Sequence, residues 1–287
     1  MYLSYDDNQF HEIIANAMAA RGRVRETYGS GSKRFRFDPA PYGFRETVTA
    51  HLSDLGFLND ETPLEALHQA NALADLTVDS SGQSTVSSSL YEIGDEFRMN
   101  YRRFLKEVVR GELFDFDFYF QSVPTFRCSI PGSPGYDWRP NYHTDIAIGH
   151  PTETINFWLP LTSCSGNNSL IYAEVEDSVK MWSDFDYNFE KFHETLEIDD
   201  GLFGRCGEIT KSFDSENGEG ILFDSRTMHL HQKNDTDRSR ISFDFRIIPV
   251  QAMNELTVEF VGTGRRKARF VPGGYYFEKS VDQLDFG

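Results

Sequence analysis

His143-Thr144-Asp145 sets an imidazole and a carboxylate two residues apart in a segment that reads as extended, where alternate residues point to one face and both could reach one metal ion. The pair alone decides little, since with eight histidines and many carboxylates about one such pair is expected by chance. Gly220-Ile221-Leu222-Phe223-Asp224 then reads as a strand, a turn follows, and His229 opens the next strand, which can return a third ligand to the first two. Two imidazoles and one carboxylate on one face of an octahedral metal leave three positions open. That suits iron(II) with a chelating cosubstrate and dioxygen, whereas zinc is more often closed by four ligands. Arg240-Ile241-Ser242 lies eleven residues beyond His229 in a run whose alternate positions Arg240, Ser242 and Asp244 share a face. A lone strand arginine is ordinarily a surface ion-pair partner. At this offset its guanidinium can take a carboxylate bidentately, with the serine hydroxyl adding a bond, and the distal carboxylate of 2-oxoglutarate is a natural ligand.

The elements that must hold these residues change character along the chain. Phe10, Ile13, Ile14 and Ala17 recur at helical spacing, as do Phe44, Val48, Leu52 and Leu55 before Gly56. Thr62-Pro63-Leu64-Glu65 has the form of a capping box with proline at the first helical position and predicts a helix reaching about Ala74. Asp79-Ser80-Ser81-Gly82-Gln83-Ser84 reads as a surface loop, and Phe97, Tyr101, Leu105 and Val108 stripe a longer helix that Gly111 could end. From Phe114 the period becomes two, with Pro/Gly breaks such as Pro131-Gly132-Ser133-Pro134-Gly135. Candidate strands are 125–130, 141–148, 153–162, 168–174, 207–213, 219–224, 227–232 and 239–249, with a helical insertion around 183–196. Eight short strands fit a jelly roll. The expected fold is therefore mainly β with a helical N-terminal part, as one domain over 1–287: helical packing region 1–113, β core 114–250 with an insertion spanning 175–206, and C-terminal extension 251–287.

Composition narrows the function classes. The chain of 287 residues is 39% hydrophobic and 14% aromatic, as a globular protein is. A net charge of -17 repels a phosphate backbone and argues against nucleic acid; its ordinary meaning is solubility. No apolar run reaches a membrane span and the first residues do not pattern as a signal peptide, so a cytoplasmic location is expected with no membrane partner. Cys128, Cys164 and Cys206 form no CxxC pair and read as reduced thiols.

The runs NYHTDIAIGHPTETINFWLPLT and MHLHQKNDTDRSRISFDFR resemble the iron(II)/2-oxoglutarate dioxygenases of the phytanoyl-CoA hydroxylase type, and among them the streptomycin-biosynthesis-type branch. The resemblance covers about residues 114–250; Gly273-Gly274-Tyr275-Tyr276 adds a hint of it. It implies a double-stranded β-helix (jelly roll, cupin-like), iron(II) on His143, Asp145 and His229, and 2-oxoglutarate anchored by Arg240 with Ser242. Asn156, a polar residue in an apolar strand, is a cofactor-binding candidate or part of an ordinary buried network. Arg127 is a candidate for cosubstrate or substrate. His231, two residues past His229, is a competing ligand, but the family's arginine follows the distal histidine by eleven residues, which selects His229 with Arg240. Arg246 could replace Arg240 only in a shifted register. His11, His51, His68 and His193 read as structural, and His150 as a loop residue that could touch substrate.

The implied reaction is hydroxylation of a small metabolite or natural-product intermediate with dioxygen. Halogenation is disfavoured, because the family's halogenating members replace the carboxylate that Asp145 supplies. Desaturation, cyclisation or epimerisation would use the same ligands, and a cupin-like metal enzyme without 2-oxoglutarate is the competing class, against which Arg240 argues. Tyr136, Trp138, Tyr142 and the insertion could line the pocket, although aromatic positions are more often core.

Overall fold

The protein is described from a computed structural model, covering residues 22–59, 61–70, 84–132, 142–256 and 269–286 together with Asn16 and Met18. The helical face at Phe10, Ile13, Ile14 and Ala17, most of the 79–84 loop, His11, Tyr136 and Trp138 lie outside the described residues.

Nine strands are present among the described residues: β1 (Ser32–Arg36), β2 (Phe118–Phe120), β3 (Thr125–Ser129), β4 (Ile155–Pro160), β5 (Leu170–Ala173), β6 (Thr210–Ser212), β7 (Glu219–Asp224), β8 (His229–His231) and β9 (Arg240–Pro249). They form two antiparallel sheets. The larger runs β1-β7-β4-β9-β2, with β3 also paired to β9, and the smaller runs β6-β5-β8. Trp158, Ile221 and Phe223 of the larger sheet pack with Leu170 and Tyr172 of the smaller in one buried cluster, so these faces meet. Tyr172 stands opposite His229 and Leu170 opposite His231; opposed residues share a face, which turns both histidines towards the larger sheet.

Alternation along β9 divides its work. Ile241, Phe243, Phe245 and Ile247 join the core under the N-terminal helices, while Arg240, Ser242, Asp244 and Arg246 occupy the other face. Helix Phe44–Asp54 buries Phe44, Val48 and Leu52 there, as its spacing predicts, while Leu55 of the expected stripe is the exposed C-cap, and Phe44 meets Phe243 at 5.2 Å between ring centroids. Helix Asp95–Phe104 adds Tyr101 against Phe245 at 5.3 Å, and Phe157 of β4 stacks on Phe245 at 4.7 Å. Burying each such side chain is worth about 1.5–3 kcal/mol. This helix does not stop at Gly111 but continues as a π-wound stretch, Leu105–Leu113, with Val108 and Val109 buried; a helical glycine costs only about 1 kcal/mol.

Three other expectations are corrected. Where a helix from Thr62 to about Ala74 is expected, the described residues form a 3-10 turn, Leu64–Gln69, and 71–74 lie outside them. Its capping box is absent because Arg45 takes the Glu65 carboxylate at 2.8 and 2.7 Å. Of candidate strand 141–148, the described residues 142–148 form no strand: only His143 pairs, in an isolated bridge to His229, and Asp145–Ile148 is a 3-10 turn capped by the Thr144 hydroxyl and ended by Gly149 at φ 95°. The helical part of the 175–206 insertion is larger than 183–196 and comprises helices Val175–Ser183, Phe189–Ile198 and Asp200–Ile209, the last taking the start of candidate strand 207–213. Asn188 and Asp199 side chains cap the second and third. They bury Trp182, Phe192, Leu196 and Leu202 against Ile171, Ala173 and Leu230 on the outer face of the smaller sheet.

His193 sits in this insertion beside Phe192 and Trp182, and burial holds its pKa down at about 4 against the ordinary 6.5. The unfolded chain therefore binds a proton here that the folded chain refuses. The stability this residue contributes is full above about 6.5 and is lost as pH falls towards 4, amounting to on the order of 3 kcal/mol. His193→Phe is expected to flatten the decline in urea-unfolding free energy across that window, measured against wild type.

Candidate metal and cosubstrate site

His143 and His229 are fixed by their own backbone. His143 N–H donates to the His229 carbonyl at 3.2 Å and His229 N–H to the His143 carbonyl at 2.9 Å. Residues that exchange both bonds in an antiparallel pair point their side chains to one side, and the two rings lie 4.4 Å apart between centroids. The turn into Asp145–Ile148 then brings in the carboxylate: Asp145 N–H donates to the Ser225 carbonyl at 3.1 Å, tying the first ligand segment to the β7–β8 turn. That turn is itself braced. Arg226 and Asp224 pair while buried, at 2.7 Å, and the Ser225 hydroxyl donates to the Thr152 carbonyl at 2.8 Å.

One ligand atom each from His143, Asp145 and His229 falls within 4.8 Å of the others, and among the described residues no other such cluster of His, Cys, Asp and Glu occurs. His229 Nδ1 lies 3.0 Å from the Thr227 carbonyl. Donation there leaves Nε2 as the free lone pair, 3.7 Å from Asp145 Oδ1. Burial pushes the His229 pKa down, so the ring is neutral, as metal binding requires. Burial alone would raise the Asp145 carboxyl; Arg246, with His150 and His229 nearby, overrides it and holds the group well below the usual carboxylate range. The donor set is thus two imidazole nitrogens and one carboxylate, the open facial arrangement that fits iron(II).

Beside the triad, the inner faces of β4 and β9 are polar. Arg240 is 1% exposed, lies 5.9 Å from the Trp158 ring centroid, and Nη1 donates to His231 Nδ1 at 2.9 Å. His231 is therefore engaged with Arg240 and stands outside the ligand cluster. Its pKa is pushed well down by burial and then by the charges of Arg240 and Arg127. The Ser242 hydroxyl, both polar atoms of the Asn156 amide and Trp158 Nε1 are buried without a protein hydrogen-bond partner. Such groups cost about 1–3 kcal/mol each when left unsatisfied, so their concentration on one interior face fits a polar molecule bound there.

Arg127 lies across from Ser242 on β3 and pairs with Asp244 at 3.2 Å, its side chain 37% exposed. Of the expected pocket aromatics, Tyr142 belongs to the insertion core, against Phe203. His150 is buried beneath Phe270 and Tyr275 rather than in an open loop. His51 and His68 contact Ser89 and Ser239, as structural residues. Missed at the sequence level was Arg246, weighed only as a substitute for Arg240: its Nε donates to Asp145 Oδ2 at 2.8 Å and Nη2 to Oδ1 at 3.4 Å. The signal was present in the alternation Arg240, Ser242, Asp244, Arg246. An open depression of about 770 Å³, lined by Arg36, Asn168, Asp214, Glu219 and Arg238 among others, includes none of the triad.

No family model matches the sequence. The streptomycin biosynthesis protein StrG of Streptomyces griseus is 28% identical over 190 residues, 66% of this chain and 74% of that protein. Solved structures similar to the chain include EctD from S. alaskensis with bound Fe (TM-score 0.48, 14% identity, 80% of this chain and 77% of that one). The nickel complex of the non-haem monooxygenase ThoJ is similar at TM-score 0.47 and 12% identity, over 92% of this chain and 91% of that one. SnoK, a non-haem alpha-ketoglutarate dependent carbocyclase from nogalamycin biosynthesis, gives TM-score 0.42 at 11% identity, over 81% and 85%. Likenesses this distant say nothing of chemistry; the residues of this chain must.

Titration of apo-protein with cobalt(II) is expected to show one equivalent bound per chain. His143→Ala or His229→Ala should weaken binding by at least about 100-fold, the upper end of what loss of a mere supporting residue costs. His231→Ala should leave it unchanged.

Proposed function

We propose that this chain is a non-haem iron(II)- and 2-oxoglutarate-dependent oxygenase that hydroxylates a small metabolite or natural-product intermediate. The observation that carries the reading is the convergence of His143, Asp145 and His229 within 4.8 Å beside a buried arginine and unsatisfied polar groups. In this reading the two facing sheets are the halves of a double-stranded β-helix within one domain over 1–287. The similarity to StrG, named for streptomycin biosynthesis, supports a small biosynthetic substrate. No helix among the described residues is long and apolar enough to cross a membrane.

His143, Asp145 and His229 would hold iron(II), and Arg240 with the Ser242 hydroxyl would hold the distal carboxylate of 2-oxoglutarate. Together with dioxygen these groups supply the oxidising power to hydroxylate a C–H bond, releasing succinate and carbon dioxide. The chain's own part is placement and exclusion of water. Arg240, buried on β9, offers a fixed cation where a dicarboxylate end must sit, and a charge-assisted bidentate bond there orients the whole molecule. Asn156 amide N–H and Trp158 Nε1–H are further donors on β4, aimed into the same interior. The Trp158, Tyr172, Ile221 and Phe223 cluster closes the space between the sheets and keeps it dry, which strengthens each polar contact.

Anaerobic titration of apo-protein with ferrous iron and then 2-oxoglutarate is the test. Wild type is expected to develop the weak visible band of a chelated complex, and Asp145→Ala to lose it. Arg240→Ala should bind iron normally yet weaken 2-oxoglutarate by about 30-fold or more, as expected from loss of an ionic hydrogen-bonded anchor. Iron binding with no band and no calorimetric affinity for 2-oxoglutarate would replace this reading with a cupin-like metal enzyme.

A further inference from the structure

All three nitrogens of the Arg246 guanidinium are engaged. Nε and Nη2 face the Asp145 carboxylate at 2.8 and 3.4 Å, and Nη1 donates to Asp244 Oδ1. Asp244 Oδ2 in turn accepts from Arg127 Nε at 3.2 Å. The result is a chain of alternating charge, Arg127, Asp244, Arg246, Asp145, in which the last three are buried. The bond to Oδ2 is the tight one. Oδ1, held loosely by Arg246, is the oxygen turned towards His229 Nε2 at 3.7 Å.

That asymmetry has a consequence for ligation. A carboxylate whose one oxygen is engaged by a short charge-assisted bond offers its other oxygen to a metal more readily. A carboxylate without this restraint could rotate about its Cβ–Cγ bond, offer both oxygens, or turn away from the imidazoles. Asp145 begins a 3-10 turn, and its backbone alone does not fix that torsion. We propose that Arg246 is a positioning residue for Asp145: the fork takes Oδ2, presents Oδ1 to the metal as a single donor, and is kept in place by Asp244. The inference rests on the reading of His143, Asp145 and His229 as a metal triad. A purely structural alternative exists, in which Arg246 only neutralises two buried acids; the measurement must separate the two.

Cobalt(II) chloride serves as the probe, with dissociation constant, visible d–d spectrum and thermal midpoint of the apo-protein measured on wild type, Arg246→Lys and Arg246→Gln. Lysine keeps the charge but is a point donor that cannot span Asp145 and Asp244 as the fork does. The expected result is that folded Arg246→Lys binds cobalt(II) at least about tenfold more weakly, the usual cost of losing a ligand-orienting partner, with a shifted d–d band, and that Arg246→Gln binds more weakly still. Wild-type affinity and spectrum in folded Arg246→Lys would overturn the proposal and leave Arg246 as a counter-charge. Should both variants fail to fold, Asp244→Asn decides, since it slackens the fork while leaving Arg246 and Asp145 in place: a weakened, shifted cobalt(II) complex supports the proposal and an unchanged one overturns it. If wild type itself binds no cobalt(II) in a manner dependent on His143, the triad reading fails first and takes this inference with it.

Discussion

The reciprocal backbone bonds between His143 and His229 are the constraint on which the site depends. They bind a stretch of chain that is otherwise turn and loop to the edge of the smaller sheet, and they do so at the residues whose rings must converge. The third donor follows, because Asp145 N–H is held by the Ser225 carbonyl in the turn leading to His229. Main-chain bonds resist displacement better than side-chain rotamers do, so the three donor groups share a rigid base. What the backbone leaves free are the torsions of the side chains, and those are set by the Thr227 carbonyl behind His229 and by Arg246 behind Asp145.

Strand β9 shows how such a polar interior is sustained. Its outward residues Ile241, Phe243, Phe245 and Ile247 are fully buried beneath the N-terminal helices, each contributing about 1.5–3 kcal/mol. Its inward residues include a hydroxyl with no protein partner and charges desolvated in pairs, which by themselves oppose folding by amounts of similar size. The aromatic packing of Phe44, Phe97 and Tyr101 on that outer face therefore offsets the cost of the inner face. The N-terminal helices Phe44–Asp54 and Asp95–Phe104 thereby support the site from the opposite face of β9.

Most of this was legible in the sequence where a period could be read. The two-residue alternation in RISFDFR placed Arg240, Ser242 and Asp244 on one face, and the helical stripes at Phe44 and Phe97 were sound because their apolar spacing is regular. The errors fall where local signals lose to distant partners. Thr62-Pro63-Leu64-Glu65 has capping-box residues, yet Arg45 claims Glu65; residues 141–148 look extended, yet the Ser225 carbonyl and Thr144 hydroxyl turn them after His143. Strands β1 and β2 escaped notice because Ser32–Arg36 is mostly basic with Phe35 its one apolar residue and Phe118–Phe120 is only three residues long. The same alternation sets Arg246 on the face of Arg240, Ser242 and Asp244, but its partner Asp145 lies 101 positions away, and the alternation does not name that partner.

Charge balance separates the two arginines that sequence alone left in competition. Arg246 faces two carboxylates and, together with Arg127, closes a group of two positive and two negative charges; a further anion has little to gain by approaching it. Arg240 instead donates to His231, a ring that burial and the flanking guanidinium groups keep neutral. A neutral acceptor satisfies the geometry of a guanidinium without cancelling its charge, unlike the two carboxylates that Arg246 faces. In the proposed reading the same strand supplies one arginine to fix a ligand and another to receive one, and what distinguishes them is the charge of these neighbours, carboxylates at Arg246 and an imidazole at Arg240, rather than their position in the alternation.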